Sequence, residues 1–305
     1  PGLRLRISPA ERFVADGLLS KRVGAMVERI WERLESNKCA DPCLLPLPEG
    51  EGIATWPSHS LSAHLPACRI EVLSSPPEHV GLGTGTQLSL AVAAGLNAFL
   101  GRQPLEPAEL AAWTGRGERS AIGTYGFAHG GLLVETGKAP GELLSPLHQR
   151  IDLPGAWRFV LICPRDQRGL SGEPEHRAFV ELPPVPQETT AALLDEVFEQ
   201  LLPAAVERNF ERFGESLYRY GYLAGMCFAA RQGGAFASPR AAKLVRTIRE
   251  LGIRGVGQSS WGPTLFALVP SAAEAIVFSD RIRQHLSADD TVLVAEPNNS
   301  GARIT

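Results

Sequence analysis

The chain has 305 residues, 44% of them hydrophobic and 21% charged, which is the composition of a globular protein able to bury one large core or two smaller ones. A formal net charge of −3 gives no global field for nucleic acid, so any anionic ligand needs a local cluster of donors. No run approaches the ~18 consecutive apolar residues of a membrane-spanning helix, and five cysteines at irregular spacing make no disulfide framework and no zinc-finger pattern. Cytoplasmic localisation is therefore the expectation, with neither nucleic acid nor membrane as a partner.

Leu3, Leu5 and Ile7 alternate with Arg4, Arg6 and Ser8, so Pro1–Ala10 reads as a half-buried strand and not as a signal peptide. Val23, Met26, Val27, Ile30, Trp31 and Leu34 recur at steps of three and four, giving an amphipathic helix over Ser20–Ser36. Cys39–Pro66, rich in Pro, Gly and Ser, reads as a long surface excursion, with His59 and His64 solvated and Cys39 and Cys43 without metal partners. A short strand, Cys68–Leu73, then leads into Pro76-Pro77-Glu78-His79-Val80-Gly81-Leu82-Gly83-Thr84-Gly85-Thr86-Gln87 and a helix over Leu88–Leu100. Three alternating glycines let the backbone approach a ligand, and the N–H groups of a starting helix make an anion site. A plain strand-to-helix turn is the competing reading.

Pro107 opens a short helix to Trp113. The stretch Gly115–Gly131 carries six glycines, two arginines and several hydroxyl side chains. Leu132–Glu135 and Trp157–Cys163 read as strands, and Pro164–Pro186 as a polar loop. Helical patterns follow over Thr190–Leu202 and Ala204–Cys227, with Pro203 expected to break them. Cys163 and Cys227 lie in apolar runs and read as inert core thiols. Ser238 before Pro239 caps a helix to Leu251, and Ser271 with Glu274 caps one to about Leu286. Between them Arg254–Ser259 and Thr264–Val269 flank a Gly-rich run, Gly255–Thr264, that reads as a tight hairpin, and Thr291–Ala295 as a last strand. The tail Pro297–Thr305 is expected to fray. Mixed helices and strands in both halves indicate an α+β protein with a boundary near Leu153–Trp157. Three small, polar, Gly-rich segments together suit a phosphate-rich ligand held by backbone N–H groups, hydroxyls and arginines.

Gly81–Gln87, Arg119-Ser120-Ala121-Ile122-Gly123-Thr124-Tyr125-Gly126-Phe127 and Gly257-Gln258-Ser259-Ser260-Trp261-Gly262-Pro263-Thr264 resemble the β-ribofuranosylaminobenzene 5′-phosphate synthases of the GHMP kinase-like superfamily, over about Pro1 to Ala295. The resemblance implies an α+β, GHMP kinase-like two-domain fold: a βαβ-type N-terminal domain over 1–154 and a ferredoxin-like α/β sandwich over 155–305. It implies a glycosyltransferase that joins phosphoribosyl pyrophosphate to 4-hydroxybenzoate or 4-aminobenzoate with loss of pyrophosphate and CO2, in tetrahydromethanopterin biosynthesis, needing Mg²⁺ and working as a homodimer. The alternatives are a GHMP-type small-molecule kinase using ATP and a non-catalytic phosphate-ligand-binding homologue. Where a kinase of the superfamily often has a carboxylate, Ile122-Gly123-Thr124-Tyr125 has none, which favours the transferase. Family members also carry an opening strand and first motif ahead of the stretch matching Pro1–Leu5, so this chain is expected to lack both.

The residue roles implied are these. Gly81, Gly83, Thr84, Gly85, Thr86 and Gln87 cradle the pyrophosphate or 5′-phosphate, with Thr86 also touching Mg²⁺. Arg119 binds the acceptor carboxylate or a phosphate, a surface ion pair being its alternative. Ser120, Gly123 and Thr124 line the substrate. Tyr125 and Trp261 stack on the aromatic ring, and Gln258, Ser259 and Ser260 complete the site.

Overall fold

The computed structural model describes residues 2–38, 65–165, 177, 180–260 and 262–305, with backbone only for 35–38. Most of Cys39–Pro66 with its two cysteines and two histidines, most of Pro164–Pro186, and Trp261 lie outside the described residues. The chain divides into two compact units. The first holds Pro1–Pro76, Thr84–Arg150 and Ser300–Thr305, and the second Pro77–Gly83 and Ile151–Asn299.

The first unit is built on a three-stranded sheet of order β1-β3-β2, with β1 at Arg4–Pro9, β2 at Val14–Gly17 and β3 at Cys68–Ser74. β1 runs antiparallel to β3 and β2 parallel to it. Helix α1, Ser20–Lys38, falls between the parallel strands, so β2-α1-β3 is a βαβ unit. The apolar stripe of α1 places Val23, Met26, Val27 and Ile30 in the core with Ile70 and Val72 of β3. Helix α2, Thr84–Phe99, buries Leu88, Leu90, Val92, Ala93 and Leu96 around most of its circumference. Gly95 lets it lie close on β1: a Cβ there would sit 2.9 Å from Ile7 Cδ1 and 3.5 Å from Leu5 Cδ1. Helix α3, Pro107–Thr114, starts at a capping box between Glu106 and Glu109. Helix α4 is Ile122–His129, and a two-stranded sheet follows from β4, Leu132–Glu135, and β5, Leu147–Ile151.

The second unit is a four-stranded sheet of order β7-β8-β6-β9, all neighbours antiparallel: β6 at Arg158–Cys163, β7 at Val256–Gln258, β8 at Leu265–Val269 and β9 at Thr291–Ala295. Counted within the unit the order is 2-3-1-4, the ferredoxin-like arrangement. Helical segments fill the connections: α5 at Gln187–Asp195, α6 at Leu202–Val206, α7 at Phe210–Met226, α8 at Ala229–Gln232, α9 at Pro239–Glu250 and α10 at Ala272–Arg283. The core joins Val160, Ile162, Val256, Leu265 and Ala267 of the sheet to Leu244, Val245 and Ile248 of α9 and Phe278 and Ile282 of α10. Ser238 and Ser271 cap these two helices, accepting from Ala241 N–H and Glu274 N–H.

Several sequence expectations are corrected. Pro203 does not end a helix. The turn Glu196–Leu201 is wound as a π-helix between α5 and α6, widening the spiral just ahead of the proline ring. The carbonyl that Pro203 cannot satisfy, that of Glu199, accepts from Arg212 Nη2 at 2.8 Å. The break falls at Arg208, left-handed at φ 56°, and Asn209 caps α7 by accepting from Arg212 N–H at 3.1 Å. Helix α2 begins at Thr84 and not at Leu88. The second Gly-rich segment is helical over Ile122–His129, with Gly123 on the face packed closest to Thr86. The tail is docked through Ala302 rather than frayed, since Ala302 N–H donates to Phe127 O at 2.7 Å. Strands β2 and β5 give no clear alternation in sequence and were not expected. Cys163 is buried as expected, whereas Cys227 is only half-buried.

Candidate functional site

Two constellations take up the three Gly-rich segments, one in each unit. In the first unit the site is the start of α2. No acidic side chain lies in its first turn, so the helix's own residues leave the partial positive charge of its end in place. Two guanidinium groups converge there. A Cβ on Gly85 would stand 2.5 Å from Arg22 Nη2 of α1 and 3.9 Å from Arg116 Nη2, and Arg116 Nη2 donates to Gly85 O at 3.4 Å. Gly85 is thus the residue that admits Arg22. Burial, and then the nearby charge of Arg29, hold the Arg22 guanidinium below its ordinary pKa; it stays a cation at neutral pH.

Helix α4 is seated against the same turn. Gln87 Nε2 donates to Gly123 O at 3.1 Å, and a Cβ on Gly123 would meet Thr86 Cγ2 at 3.0 Å. Thr124 is 1% exposed, so its hydroxyl belongs to the packed side of the helix. Tyr125 is half-buried, donates its hydroxyl to Ser145 O at 3.0 Å and stacks on His129 with ring centroids 6.2 Å apart. The Glu135 carboxylate accepts from Ala121 N–H at 2.7 Å, an anion placed at the positive end of α4. Ser120 accepts from Ile122 N–H at 3.3 Å, and both Ser120 and Arg119 are exposed.

In the second unit the β7–β8 turn holds the loop that precedes α2. Ser259 Oγ donates to Gly81 O at 2.6 Å, and Thr264 N–H donates to Val80 O at 3.3 Å. A Cβ on Gly81 would stand 2.9 Å from Gly262 Cα; one on Gly262 would overlap the backbone of Val80 and Gly81. Gly81 is left-handed at φ 90° and Gly83 at φ 66°, and Gly83 is exposed with open space where a side chain would be. Gln258 spends its amide internally, accepting from Ala237 N–H at 2.6 Å and donating to Ser260 O at 2.9 Å. Ser260 is exposed and left-handed at φ 54°.

The structure therefore brings Gly85, Thr86, Gln87 and Gly123 together, and separately Gly81 with Ser259. The amide of Gln258 and the hydroxyl of Tyr125 are engaged by backbone groups. Sequence reasoning missed Arg22, which reads as a solvated charge on the polar face of α1, and Glu135, which reads as the end of a strand. Arg116 was visible within the second Gly-rich segment.

Comparison with known proteins gives these motifs a context. The family model described as GHMP kinases N terminal domain matches residues 55–131, and that described as GHMP kinases C terminal matches 201–288; together they cover more than half of the chain. The beta-ribofuranosylphenol 5′-phosphate synthase of Archaeoglobus fulgidus is 35% identical over 219 residues, 68% of this chain and 66% of the relative. That of Methanothermobacter thermautotrophicus is 31% identical over 209 residues, 65% of this chain and 62% of the relative.

The chain belongs to the β-ribofuranosylphenol 5′-phosphate synthase family of GHMP kinase-like proteins.

It spans just under two thirds of the length of these two relatives. Solved structures agree on the fold. A homoserine kinase from Cytophaga hutchinsonii superposes with TM-score 0.62 at 17% identity, covering 97% of this chain and 86% of the other. The galactokinase of Lactococcus lactis gives TM-score 0.64 at 12% identity, with coverage of 97% and 85%. At these identities the likeness speaks for the fold alone.

Proposed function

We propose that this chain joins phosphoribosyl pyrophosphate to 4-hydroxybenzoate, releasing pyrophosphate and CO2. The relatives are named for a ribosylated phenol, which favours the hydroxybenzoate acceptor over the aminobenzoate. In the reaction the bond from ribose C1 to the pyrophosphate oxygen breaks, and its electron pair leaves with pyrophosphate. The ring carbon bearing the carboxylate bonds to C1. The carboxylate then departs as CO2, and its bonding pair restores the aromatic ring. No acceptor hydroxyl has to be deprotonated, in keeping with the absence of a carboxylate from Ile122-Gly123-Thr124-Tyr125.

The observation that carries the reading is the start of α2, where two guanidinium groups converge on a first turn that has no acidic residue of its own, in a chain of this family. The demand of the reaction is charge stabilisation on a departing pyrophosphate, and fixed cations with backbone N–H donors meet it without reorganisation. Arg22 and Arg116 take the pyrophosphate, with Thr84, Gly85 and Thr86. Arg119 takes the acceptor carboxylate, and Tyr125 flanks the ring. Among the described residues no group of three His, Cys, Asp or Glu side chains is arranged to hold a metal, and the single hydroxyl of Thr86 is no cage. Mg²⁺ enters this proposal as the chelate of the substrate's own pyrophosphate, the way Mg²⁺ is often carried. The family resemblance extends the proposal to tetrahydromethanopterin biosynthesis, a homodimer and a cytoplasmic location; among the described residues no helix is long and apolar enough to cross a membrane.

The test supplies phosphoribosyl pyrophosphate, Mg²⁺ and carboxyl-labelled 4-hydroxybenzoate to purified protein. Labelled CO2 is expected, and Arg22→Ala and Arg116→Ala are expected to raise the KM for the phosphoribosyl donor. Turnover at the unaltered rate in both variants would remove the α2 start from the mechanism. Consumption of ATP dependent on a small alcohol would replace the reading with a kinase.

A further inference from the structure

The last residues follow β9 without hydrophobic periodicity, yet they make specific contacts. Asn299 clamps one backbone position of the second unit from both sides: its Nδ2 donates to Leu153 O at 2.8 Å, and its Oδ1 accepts from Leu153 N–H at 3.0 Å. From Ser300 the chain belongs to the first unit. Gly301 is buried and left-handed at φ 68°. A Cβ there would come to 2.6 Å from both Phe127 O and Ala128 O. The next residue donates Ala302 N–H to Phe127 O at 2.7 Å.

Phe127 is one of the last residues of α4, whose closing carbonyls have no partner within the helix. Other carbonyls at this end have donors in the cap or beyond it. Gly126 O accepts from Gly130 N–H at 3.1 Å, and Arg150 Nε donates to His129 O and to Gly130 O at 3.2 Å each. Phe127 O takes its donor from a residue 175 positions away by number, reached only because Gly301 turns left-handed in a space too small for a side chain.

We propose that Gly301 and Ala302 are positioning residues for α4, the helix that carries Gly123, Thr124 and Tyr125. The tail closes the C-terminal end of α4, so its first turn keeps its seat on Gln87 and Thr86. A substitution at Gly301 meets carbonyl oxygens rather than a flexible side chain, and it also forces an L-residue into the left-handed region. The strain falls on the end of α4. The catalytic part of this proposal rests on the function proposed above; the structural part does not.

The experiment compares Gly301→Ala, a chain ended after Ser300, and the control Arg303→Ala, whose side chain is exposed on the same tail. Amide exchange across α4 and Gly130 is expected to speed up by about tenfold or more in the first two and to stay unchanged in the control. In the synthase assay, corrected for the folded fraction, kcat is expected to fall by a larger factor than the KM for the phosphoribosyl donor rises, because Arg22 and Arg116 are not on α4. If Gly301→Ala does not fold, the shortened chain decides. Unchanged exchange in α4 would overturn the proposal whatever the turnover. Faster exchange with kcat and KM both unaltered would overturn its catalytic part. Absence of turnover in the unaltered protein would strike the proposed function and leave the exchange result to judge the positioning role.

Discussion

Replacing Gly262 by alanine puts a methyl group where the backbone of Val80 and Gly81 already lies. The atoms met are main-chain N, Cα and C, so no side-chain rotation relieves the overlap. Overpacking costs about 1–3 kcal/mol where side chains yield, and a backbone neighbour puts this case at the upper end, about 3 kcal/mol. For a unit of roughly 150 residues, 1 kcal/mol moves the melting temperature by about 2–4 °C, so the second unit is expected to melt about 6–12 °C lower. Ser259→Ala removes the 2.6 Å bond to Gly81 O and keeps the turn bond from Ser259 N–H to Thr264 O at 2.9 Å. Its cost is that of an abandoned acceptor, about 1–2 kcal/mol. Both changes act on one contact, so the double variant is expected to lose less than the sum. Calorimetry with amide exchange over Val80–Gly83 reads all three. A Gly262→Ala protein melting within about 2 °C of the parent, with Val80–Gly83 equally protected, would refute the reasoning that this turn holds the loop.

Arg116→Ala is expected to raise the KM for phosphoribosyl pyrophosphate by about tenfold, some 1.4 kcal/mol of binding, read by steady-state kinetics on the folded variant. Arg119→Ala is expected to lower turnover by more than about tenfold, about 1.4 kcal/mol in barrier; near-normal steady-state turnover by the folded variant removes it from the site. For Glu215, burial raises the carboxyl pKa, but the hydrogen bond from Arg249 and the charges of Arg249, Arg219 and Arg254 outweigh it, leaving the group below its ordinary 4.5. Its contribution to stability is therefore complete above that ordinary value and is lost as pH falls through the lower folded one. Urea titrations across acid pH are expected to show that loss in the parent and a flatter acid limb in Glu215→Gln; identical limbs would contradict it. Burial pushes the Cys68 thiol up to about 11, so iodoacetamide at about pH 8 is expected to spare Cys68 in the native protein and label it after unfolding; native labelling, read by peptide mass, would place that side chain outside the core.

What the sequence disclosed follows the reach of each signal. Apolar period located α1 and α2, and the cap residues Ser238 and Ser271 located α9 and α10, because those signals are written within a few neighbouring residues. The β7–β8 hairpin was equally legible from glycines between two apolar runs. Pro203 misled because its cost was met from a distance, by a π turn before it and by Arg212 on the next helix. Gly123 was hard to read for a different reason: a glycine that marks a turn and one that lets a helix pack look alike until Thr86 is seen against it, with a Cβ on Gly123 standing 3.0 Å from Thr86 Cγ2. The tail looked idle because a docked segment with no period has no local signature, and only Gly301 hinted at it.

The candidate site was half legible. Its glycines and hydroxyls lie in three short runs and could be read directly. Arg22 could not, since its place at Gly85 depends on how α1 crosses the start of α2. Nor could the division of labour within Gly81–Gln87, where Gly81 faces a hairpin turn and Gly85 faces arginines.

The measurement closest to the central claim is the stoichiometry of the synthase reaction. Purified protein with Mg²⁺, phosphoribosyl pyrophosphate and carboxyl-labelled 4-hydroxybenzoate is expected to release CO2 and pyrophosphate in equal amounts. Release of pyrophosphate without CO2, or of neither from a folded protein that still binds the phosphoribosyl donor, would contradict a decarboxylating transferase.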